Sequence, residues 1–178
     1  MIPYYIFTGG PGSGKSTTLE ALSTLGYCTV PEVGRAIIQQ QIQEQGDALP
    51  WLNKQRFFEL MFESSLVDYQ QQTDQLTFFD RGLLDSIGYA QLEQLTIHPN
   101  QYQLAKQLLY ATTVFIFPPW ESIYTQDKER KQNFDLAIRT YEIMRTTYEK
   151  FNYQLVTIPC TTIEKRVDFI LDYLRLNP

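Results

Sequence analysis

The sequence predicts an α/β fold in which helices cover both faces of a parallel sheet, and two observations support this prediction. Five short apolar runs of strand length recur along the chain, separated by segments with helical periodicity. The runs are apolar at consecutive positions rather than alternate ones, as expected when both faces of a strand are buried. The predicted strands cover residues 4–8, 27–31, 76–79, 114–117 and 154–158.

Length and composition favour one domain that covers residues 1–178. A chain of 178 residues, of which 43% are hydrophobic, can bury a sizeable core. The net charge of −5 leaves no general basic field that would attract nucleic acid or an anionic membrane surface. No apolar run approaches the ~20 residues of a membrane-spanning helix, and the N-terminus lacks a secretory signal pattern. We therefore expect a cytoplasmic protein, and the sequence does not indicate its oligomeric state.

The cysteine and histidine content argues against a zinc site or a disulfide. Cys28 and Cys160 lack the spacing of metal ligands, and His98 is the single histidine of the chain. We interpret both cysteines as small buried side chains.

The first predicted strand leads into a segment that matches the phosphate-binding pattern G-x-x-x-x-G-K-[ST] and precedes a helical pattern. Small residues allow backbone N–H groups to curl around a phosphate, and the N-terminus of the helix adds partial positive charge. Lys15 is expected to reach the β- and γ-phosphates and Ser16 to ligate Mg²⁺. ATP is favoured over GTP because no Asn-Lys-x-Asp segment occurs. The residues predicted to bind Mg·ATP are Gly9, Gly10, Pro11, Gly12, Ser13, Gly14, Lys15, Ser16 and Thr17.

An acidic residue, Glu32, follows the second predicted strand, at the sheet edge where such folds bind ligands. A carboxylate at this position could orient a substrate hydroxyl or accept its proton, which makes Glu32 a candidate catalytic residue. Arg35 follows about one helical turn later. The alternative is therefore a surface ion pair between Glu32 and Arg35 that contributes little to stability.

The third predicted strand is followed directly by an acidic and a basic residue, Asp80 and Arg81. A carboxylate at the end of an apolar strand is the pattern expected for a residue that holds Mg²⁺ or its water, so Asp80 joins Ser16 as a candidate metal ligand. A helix N-cap is the alternative for Asp80, since Gly82 and an apolar stretch follow. Arg81 is a candidate catalytic residue that could stabilise the negative charge of a migrating phosphoryl group.

The segment that follows the fourth predicted strand is a candidate lid. It covers residues 118–132, in which two prolines precede a charged run at 127–131. Lids supply cations to a migrating phosphoryl group and exclude water, which makes Arg130 a candidate catalytic residue. An ordinary solvated charge run is the alternative.

Two further sets of residues could contact a substrate, but the sequence supports this role less strongly. Asp85 and Ser86 lie one turn after the acid–base pair, where helix solvation is favoured over contact with a substrate. Trp51, Phe57 and Trp120 could line a cavity for a planar acceptor, but aromatic residues at helical spacing are more often part of the core. No pocket is assigned from them.

Taken together, these motifs resemble the NadR-like branch of AAA-type P-loop proteins, which is related in fold to nucleoside and nucleotide kinases. The resemblance implies a sheet ordered 2-3-1-4-5, ATP bound at residues 9–17, and metal assistance from Ser16 and Asp80. The kinase member of this group, the ribosylnicotinamide kinase domain of NadR regulators, phosphorylates a nucleoside. Because the present sequence has neither a nucleotidyltransferase module nor a DNA-binding domain, that substrate is not carried over. The segments that carry the resemblance are TGGPGSGKST at 8–17, VPEVGRAII at 30–38, FFDRGLLDSIGYA at 78–90, FPPWESIYTQDKER at 117–130 and IPCTTIEKRVDFIL at 158–171.

The sequence leaves three functions to compare. The favoured one is a small-molecule, nucleoside-like kinase that transfers the ATP γ-phosphoryl group to a hydroxyl near Glu32 and Arg81. Lys15, Mg²⁺ and Arg130 would then stabilise the negative charge of the migrating phosphoryl group. The alternative is a nucleotide-dependent switch with slow ATP hydrolysis and a protein or lipid partner. An oligomeric remodelling ATPase is disfavoured, because Asp80 is followed by Arg81 rather than by a glutamate that activates water.

Overall fold

The computed structural model describes residues 4–71, 75–124 and 134–176, and these residues form five strands and seven helices. The strands are β1 Tyr4–Gly9, β2 Cys28–Val30, β3 Thr77–Asp80, β4 Thr113–Phe117 and β5 Gln154–Thr157. The helices are α1 Lys15–Thr24, α2 Val33–Gln43, α3 Lys54–Gln71, α4 Leu83–Leu92, α5 Pro99–Gln107, α6 Phe134–Lys150 and α7 Ile163–Leu176, with a 3-10 helix at Glu121–Ile123. None of the helices in these ranges is long and apolar enough to cross a membrane.

The five strands form a parallel sheet in the order β2-β3-β1-β4-β5. This confirms the predicted α/β class and the strand order that the resemblance implied. Each predicted strand also lies within one residue of an observed strand at both ends. Because β1 occupies the middle of the sheet, the loop that follows it emerges at the centre of the carboxyl edge, next to the residues that follow β2, β3 and β4.

Helices cover both faces of the sheet, so the fold has three layers. Side chains of β1 alternate between two hydrophobic clusters: Tyr4 and Ile6 belong to one, and Tyr5 and Phe7 to the other. The first cluster includes residues of α3, α4, α5 and α6, and the second includes residues of α1 and α7. The sheet is buried on both sides, which explains why its strands are apolar at consecutive positions.

The two cysteines are less buried than the sequence suggested. Cys160 is exposed and Cys28 is half-buried, so the expectation of two buried cysteines is wrong. Cys28 lies in β2 and Cys160 follows β5, which are the two edge strands of the sheet. An edge strand has a neighbour on one side only, which leaves these short side chains open to solvent.

Candidate active site

The predicted phosphate loop, residues 9–16, connects β1 to α1, as its pattern requires. Gly14 occupies the N-cap position of α1 with a left-handed φ of 86°, a conformation that glycine adopts without strain. A Cβ atom at Gly14 would also lie 2.5 Å from Nη1 of Arg166, so a side chain here would displace that guanidinium group. The first N–H groups of α1, which have no partner within the helix, are therefore available to an anion in the loop.

Lys15, the first residue of α1, folds back over the phosphate loop. Its side chain is buried, and Nζ donates hydrogen bonds to the carbonyl oxygen of Gly10 at 2.7 Å and to Oγ of Ser13 at 3.3 Å. These contacts keep the ammonium group inside the loop. The ammonium group of Lys15 can therefore contact a phosphate that is bound by the loop.

The two candidate metal ligands, Ser16 and Asp80, are in direct contact: Oγ of Ser16 donates to Oδ2 of Asp80 at 2.6 Å. Asp80 is 3% exposed, and its Oδ1 has no hydrogen-bond partner among the residues that the structure describes. Burial raises the pKa of this carboxyl, while the charge of Lys15 opposes the rise. A buried carboxylate with an open oxygen beside a hydroxyl suits Mg²⁺, which binds hard oxygen ligands. The N-cap alternative for Asp80 is wrong, because Gly82 occupies the N-cap position of α4.

Arg81 follows β3 and turns towards the phosphate loop. Its φ of 75° is left-handed, which is uncommon for a residue other than glycine. Nη1 donates to the carbonyl oxygen of Gly9 at 3.0 Å, and Nε donates to Oε1 of Glu32 at 3.1 Å. The Glu32 side chain is 15% exposed in this pair, so its contact with Arg81 is largely shielded from solvent. Arg35 itself is exposed.

Asp85 lies on the other side of Arg81, one turn into α4. Asp85 and Ser86 are each 3% exposed, so the expectation that solvent surrounds them is wrong. The α4 face that carries them is packed against α6 rather than turned to water. Four donors around one carboxylate compensate for its burial. These donors lie 2.6–3.1 Å from its oxygens and are Nη1 of Arg81, Oγ1 of Thr8, the hydroxyl of Tyr148 and the backbone N–H of Gly82.

A second buried arginine, Arg166 of α7, contacts the other end of the phosphate loop. Nη1 donates to the carbonyl oxygen of Ser13 at 3.0 Å, and Nε donates to that of Pro159 at 3.1 Å. The guanidinium lies 4.8 Å from the ring centroid of Trp120, so Trp120 packs on Arg166 rather than in a cavity. Sequence reasoning missed Arg166, because its signal is only a cation on one face of an amphipathic helix.

A cavity of about 330 Å³ opens beside the phosphate loop, and loop residue Pro11 forms part of its wall. Glu32 and Arg81 also line it. Trp51 and Phe57, the aromatic residues considered from the sequence, are part of the lining, although Phe57 belongs to the core as well. Much of the remaining wall is apolar and comes from α2, α3, α4 and α6, namely Val33, Ile38, Met61, Tyr89, Leu92, Leu136 and Met144.

The chain that forms this loop and cavity also matches a known protein family. A family model described as "AAA domain" matches residues 4–166, which is most of the chain. The chain belongs to this AAA domain family. The comparison with curated proteins gives no match.

Several solved structures share the fold of this AAA domain protein. A thymidylate kinase from Candida albicans is 18% identical, with 98% of this chain and 91% of that chain covered and a TM-score of 0.70. A deoxyadenosine kinase from M. mycoides is also 18% identical, with 97% and 99% covered and a TM-score of 0.59. A NadR protein in complex with NR is 13% identical, with 96% of this chain and 49% of that chain covered and a TM-score of 0.68.

The candidate lid of the AAA domain protein, residues 118–132, is only partly described by the structure. In its described part, Tyr124 covers the phosphate loop: a Cβ atom at Gly12 would lie 2.7 Å from the Tyr124 ring. The Tyr124 ring also meets Phe134, the first residue of α6, edge-on at 5.4 Å between centroids. Arg130 lies outside the described residues.

Proposed function

We propose that this protein is a kinase that transfers the γ-phosphoryl group of ATP to a hydroxyl group of a small, nucleoside-like acceptor. The observation that carries the proposal is the position of the cavity: Pro11 of the phosphate loop and the Glu32–Arg81 ion pair belong to one lining. A protein that only binds or hydrolyses ATP does not need a largely apolar cavity next to the phosphates. The fold shared with kinases of nucleosides and nucleotides supports the same conclusion.

On this proposal the phosphate loop and Thr17 hold the phosphates of ATP, and Lys15 contacts the β- and γ-phosphates. Ser16 and Asp80 hold Mg²⁺, which neutralises negative charge on the phosphates when it is bound. The short contact between their side chains and the open Oδ1 of Asp80 support this assignment. The donor side of the reaction is thus built from residues of β1, α1 and β3.

The acceptor side is built around Glu32 and Arg81. Glu32 orients the acceptor hydroxyl and accepts its proton. The hydroxyl oxygen forms a bond to the γ-phosphorus while the bond from that phosphorus to the β–γ bridging oxygen breaks, so that ADP leaves. Arg81 lies between Glu32 and the loop carbonyl of Gly9, where it meets the charge of the migrating group. We further propose that residues 1–178 act as one domain and that Arg130, in the lid at 118–132, is another cation for this step.

The test is transfer of labelled phosphate from ATP to a panel of nucleosides that includes nicotinamide riboside. Lys15→Ala removes the ammonium group from the loop, and we expect acceptor-dependent product to fall by about 10²-fold or more. Lys106→Ala removes an exposed lysine of α5 and is the matched control, with no expected change. Product that depends on both the acceptor and Lys15 supports the kinase. ATP hydrolysis that no acceptor accelerates contradicts it.

A further inference from the structure

The guanidinium group of Arg81 is held at two of its three nitrogens. Nη1 donates hydrogen bonds to the carbonyl oxygen of Gly9 at 3.0 Å and to Oδ1 of Asp85 at 3.1 Å. Nε donates to Oε1 of Glu32 at 3.1 Å. Nη2 makes no hydrogen bond within the described ranges, and Arg81 lines the cavity. Because a guanidinium group is a rigid planar fork, fixing Nη1 and Nε also fixes the direction in which Nη2 can donate.

The two carboxylates that hold Arg81 differ in exposure and in the hydrogen bonds they can still accept. The side chain of Glu32 is 15% exposed, whereas that of Asp85 is 3% exposed. Each oxygen of Asp85 already accepts two of the four hydrogen bonds that surround this carboxylate. A carboxylate offers about four lone-pair sites. Asp85 therefore has no site left for the proton of an acceptor hydroxyl.

The donors that surround Asp85 belong to three different elements of the fold. Thr8 lies on β1, Tyr148 lies on α6, and Gly82 is the N-cap residue of α4. Their distances to the oxygens of Asp85 are 2.6 Å, 2.6 Å and 3.0 Å. A carboxylate that is held from three elements stays in place when a neighbouring group changes its charge.

We propose that Asp85 is a positioning residue for phosphoryl transfer: it keeps Nη1 of Arg81 at the phosphate loop, so that Nη2 stays directed at the migrating group. The inference rests on the proposed kinase function. In that function Glu32 accepts the proton of the acceptor hydroxyl, and the loss of its charge weakens its hydrogen bond with Nε. Asp85 keeps its charge and its hold. The left-handed backbone of Arg81, with φ of 75°, is consistent with this role, because such conformations persist where the surroundings fix them.

Rotation of the Arg81 guanidinium group, followed by nitrogen NMR of the full chain, tests the positioning without any acceptor. Rotation about the bond from Nε to Cζ exchanges Nη1 with Nη2, and the Arg81 signals are identified by their absence in Arg81→Lys. Asp85→Asn keeps the size of the side chain and removes its charge. We expect it to accelerate the rotation by about 10-fold, because the charged acceptor of Nη1 is lost. An unchanged rate overturns the proposal.

Arg166 is the internal reference for this measurement. Its Nη1 donates to the carbonyl oxygen of Ser13, and none of its hydrogen bonds within the described ranges involves Asp85. Its rotation should therefore stay the same in Asp85→Asn. Equal acceleration at both arginines would indicate general loosening of the protein and would overturn the assignment.

Steady-state kinetics of Asp85→Asn test the consequence for transfer. We expect kcat to fall by about 10–10²-fold while KM for Mg·ATP stays within about 3-fold, because Arg81 stabilises charge that develops in the transition state. Asp168→Asn makes the same chemical change at an exposed residue of α7 and is the matched control. A purely structural role for Asp85 predicts a loss of stability with an unchanged kcat of the folded enzyme, and that result overturns the proposal.

Thr8→Val keeps the carboxylate of Asp85 and removes one of its donors. Thr8→Ser keeps the hydroxyl and is the matched control. We expect Thr8→Val to lower kcat by about 3-fold relative to Thr8→Ser, since one hydrogen bond to the carboxylate is lost. Equal values of kcat and of the Arg81 rotation rate in these two variants overturn the proposal, even where Asp85→Asn does not fold.

The two kinds of measurement separate this inference from the proposed function. Faster rotation of Arg81 in Asp85→Asn, in a protein that transfers phosphate to no acceptor, supports Asp85 as the residue that holds Arg81 and contradicts the kinase. Acceptor-dependent transfer that Asp85→Asn leaves unchanged supports the kinase and overturns the positioning role.

Discussion

Two buried arginines contact opposite ends of the phosphate loop, but their charges are balanced in different ways. Arg81 lies between two carboxylates, with Glu32 and Asp85 each 3.1 Å from its guanidinium. Burial by itself lowers the pKa of Arg81, but the two carboxylates raise it above its usual value on balance. Arg81 is therefore one member of a charge-compensated cluster, and its removal would leave two largely buried carboxylates without their common cation.

Arg166 has no carboxylate partner among the described residues. Its Nη1 and Nε donate hydrogen bonds to the backbone carbonyl groups of Ser13 and Pro159. Its guanidinium plane packs on the ring of Trp120. Its Nη2 has no hydrogen-bond partner in the described ranges. Burial accordingly lowers the pKa of Arg166. Removal of a paired cation therefore leaves buried opposite charges behind, whereas removal of a cation without a carboxylate partner leaves only neutral acceptors.

The largest effect is expected from Arg81→Met. The variant leaves Glu32 and Asp85 without their common cation, which should lower the free energy of unfolding by about 3–5 kcal/mol. Urea denaturation followed by circular dichroism measures the change, and Arg81→Lys, which keeps the charge, should lose less. A loss of stability no greater than that of the matching Arg166 variant would show that the two carboxylates do not depend on Arg81.

An intermediate effect is expected from Tyr148→Phe, which tests the carboxylate side of the Arg81 cluster. The variant removes the hydroxyl that donates to Oδ2 of Asp85 at 2.6 Å. A hydrogen bond to a charged group contributes about 1.5–3 kcal/mol, and the unfolding free energy should fall by that amount. Tyr141→Phe lies on the same helix, and its hydroxyl makes no contact with Asp85, so it is the control. Equal losses in the two variants would mean that Asp85 does not depend on Tyr148.

The smallest effect on stability is expected from Arg166→Met. Methionine keeps most of the apolar stem, and no carboxylate is left behind, so the unfolding free energy should fall by only about 1 kcal/mol. Affinity for Mg·ATP should fall about 3–10-fold, because the carbonyl group of Ser13 loses its donor and the loop is held less firmly. Denaturation and nucleotide titration measure the two effects separately. A stability loss as large as that of Arg81→Met would show that Arg166 has an acidic partner after all.

The features that could be predicted from the sequence are those with local signals. The phosphate loop follows an apolar strand and has a recognisable residue spacing. Asp80 ends another strand and Arg81 follows it. A parallel sheet brings the carboxyl ends of these two strands together. The strand order itself came from the resemblance rather than from the residues.

The features that could not be predicted depend on which helix faces meet. Asp85 was expected in solvent because its spacing does not reveal that α4 packs against α6. In the structure, the hydroxyl of Tyr148 on α6 donates a hydrogen bond to Asp85. Arg166 is separated from its acceptor Ser13 by most of the chain. The cavity is shared by four helices, and no single segment of the sequence carries a signal for it.

The position of β1 in the middle of the sheet has a consequence for folding. β1 precedes both of its neighbours along the chain: Tyr4 pairs with Thr77 of β3, and Ile6 pairs with Val114 of β4. Such non-local pairings form slowly, because long stretches of chain must be closed before they yield contacts. The phosphate loop is therefore synthesised before the strands that hold it, and it can reach its final shape only after the ribosome has released most of the sheet.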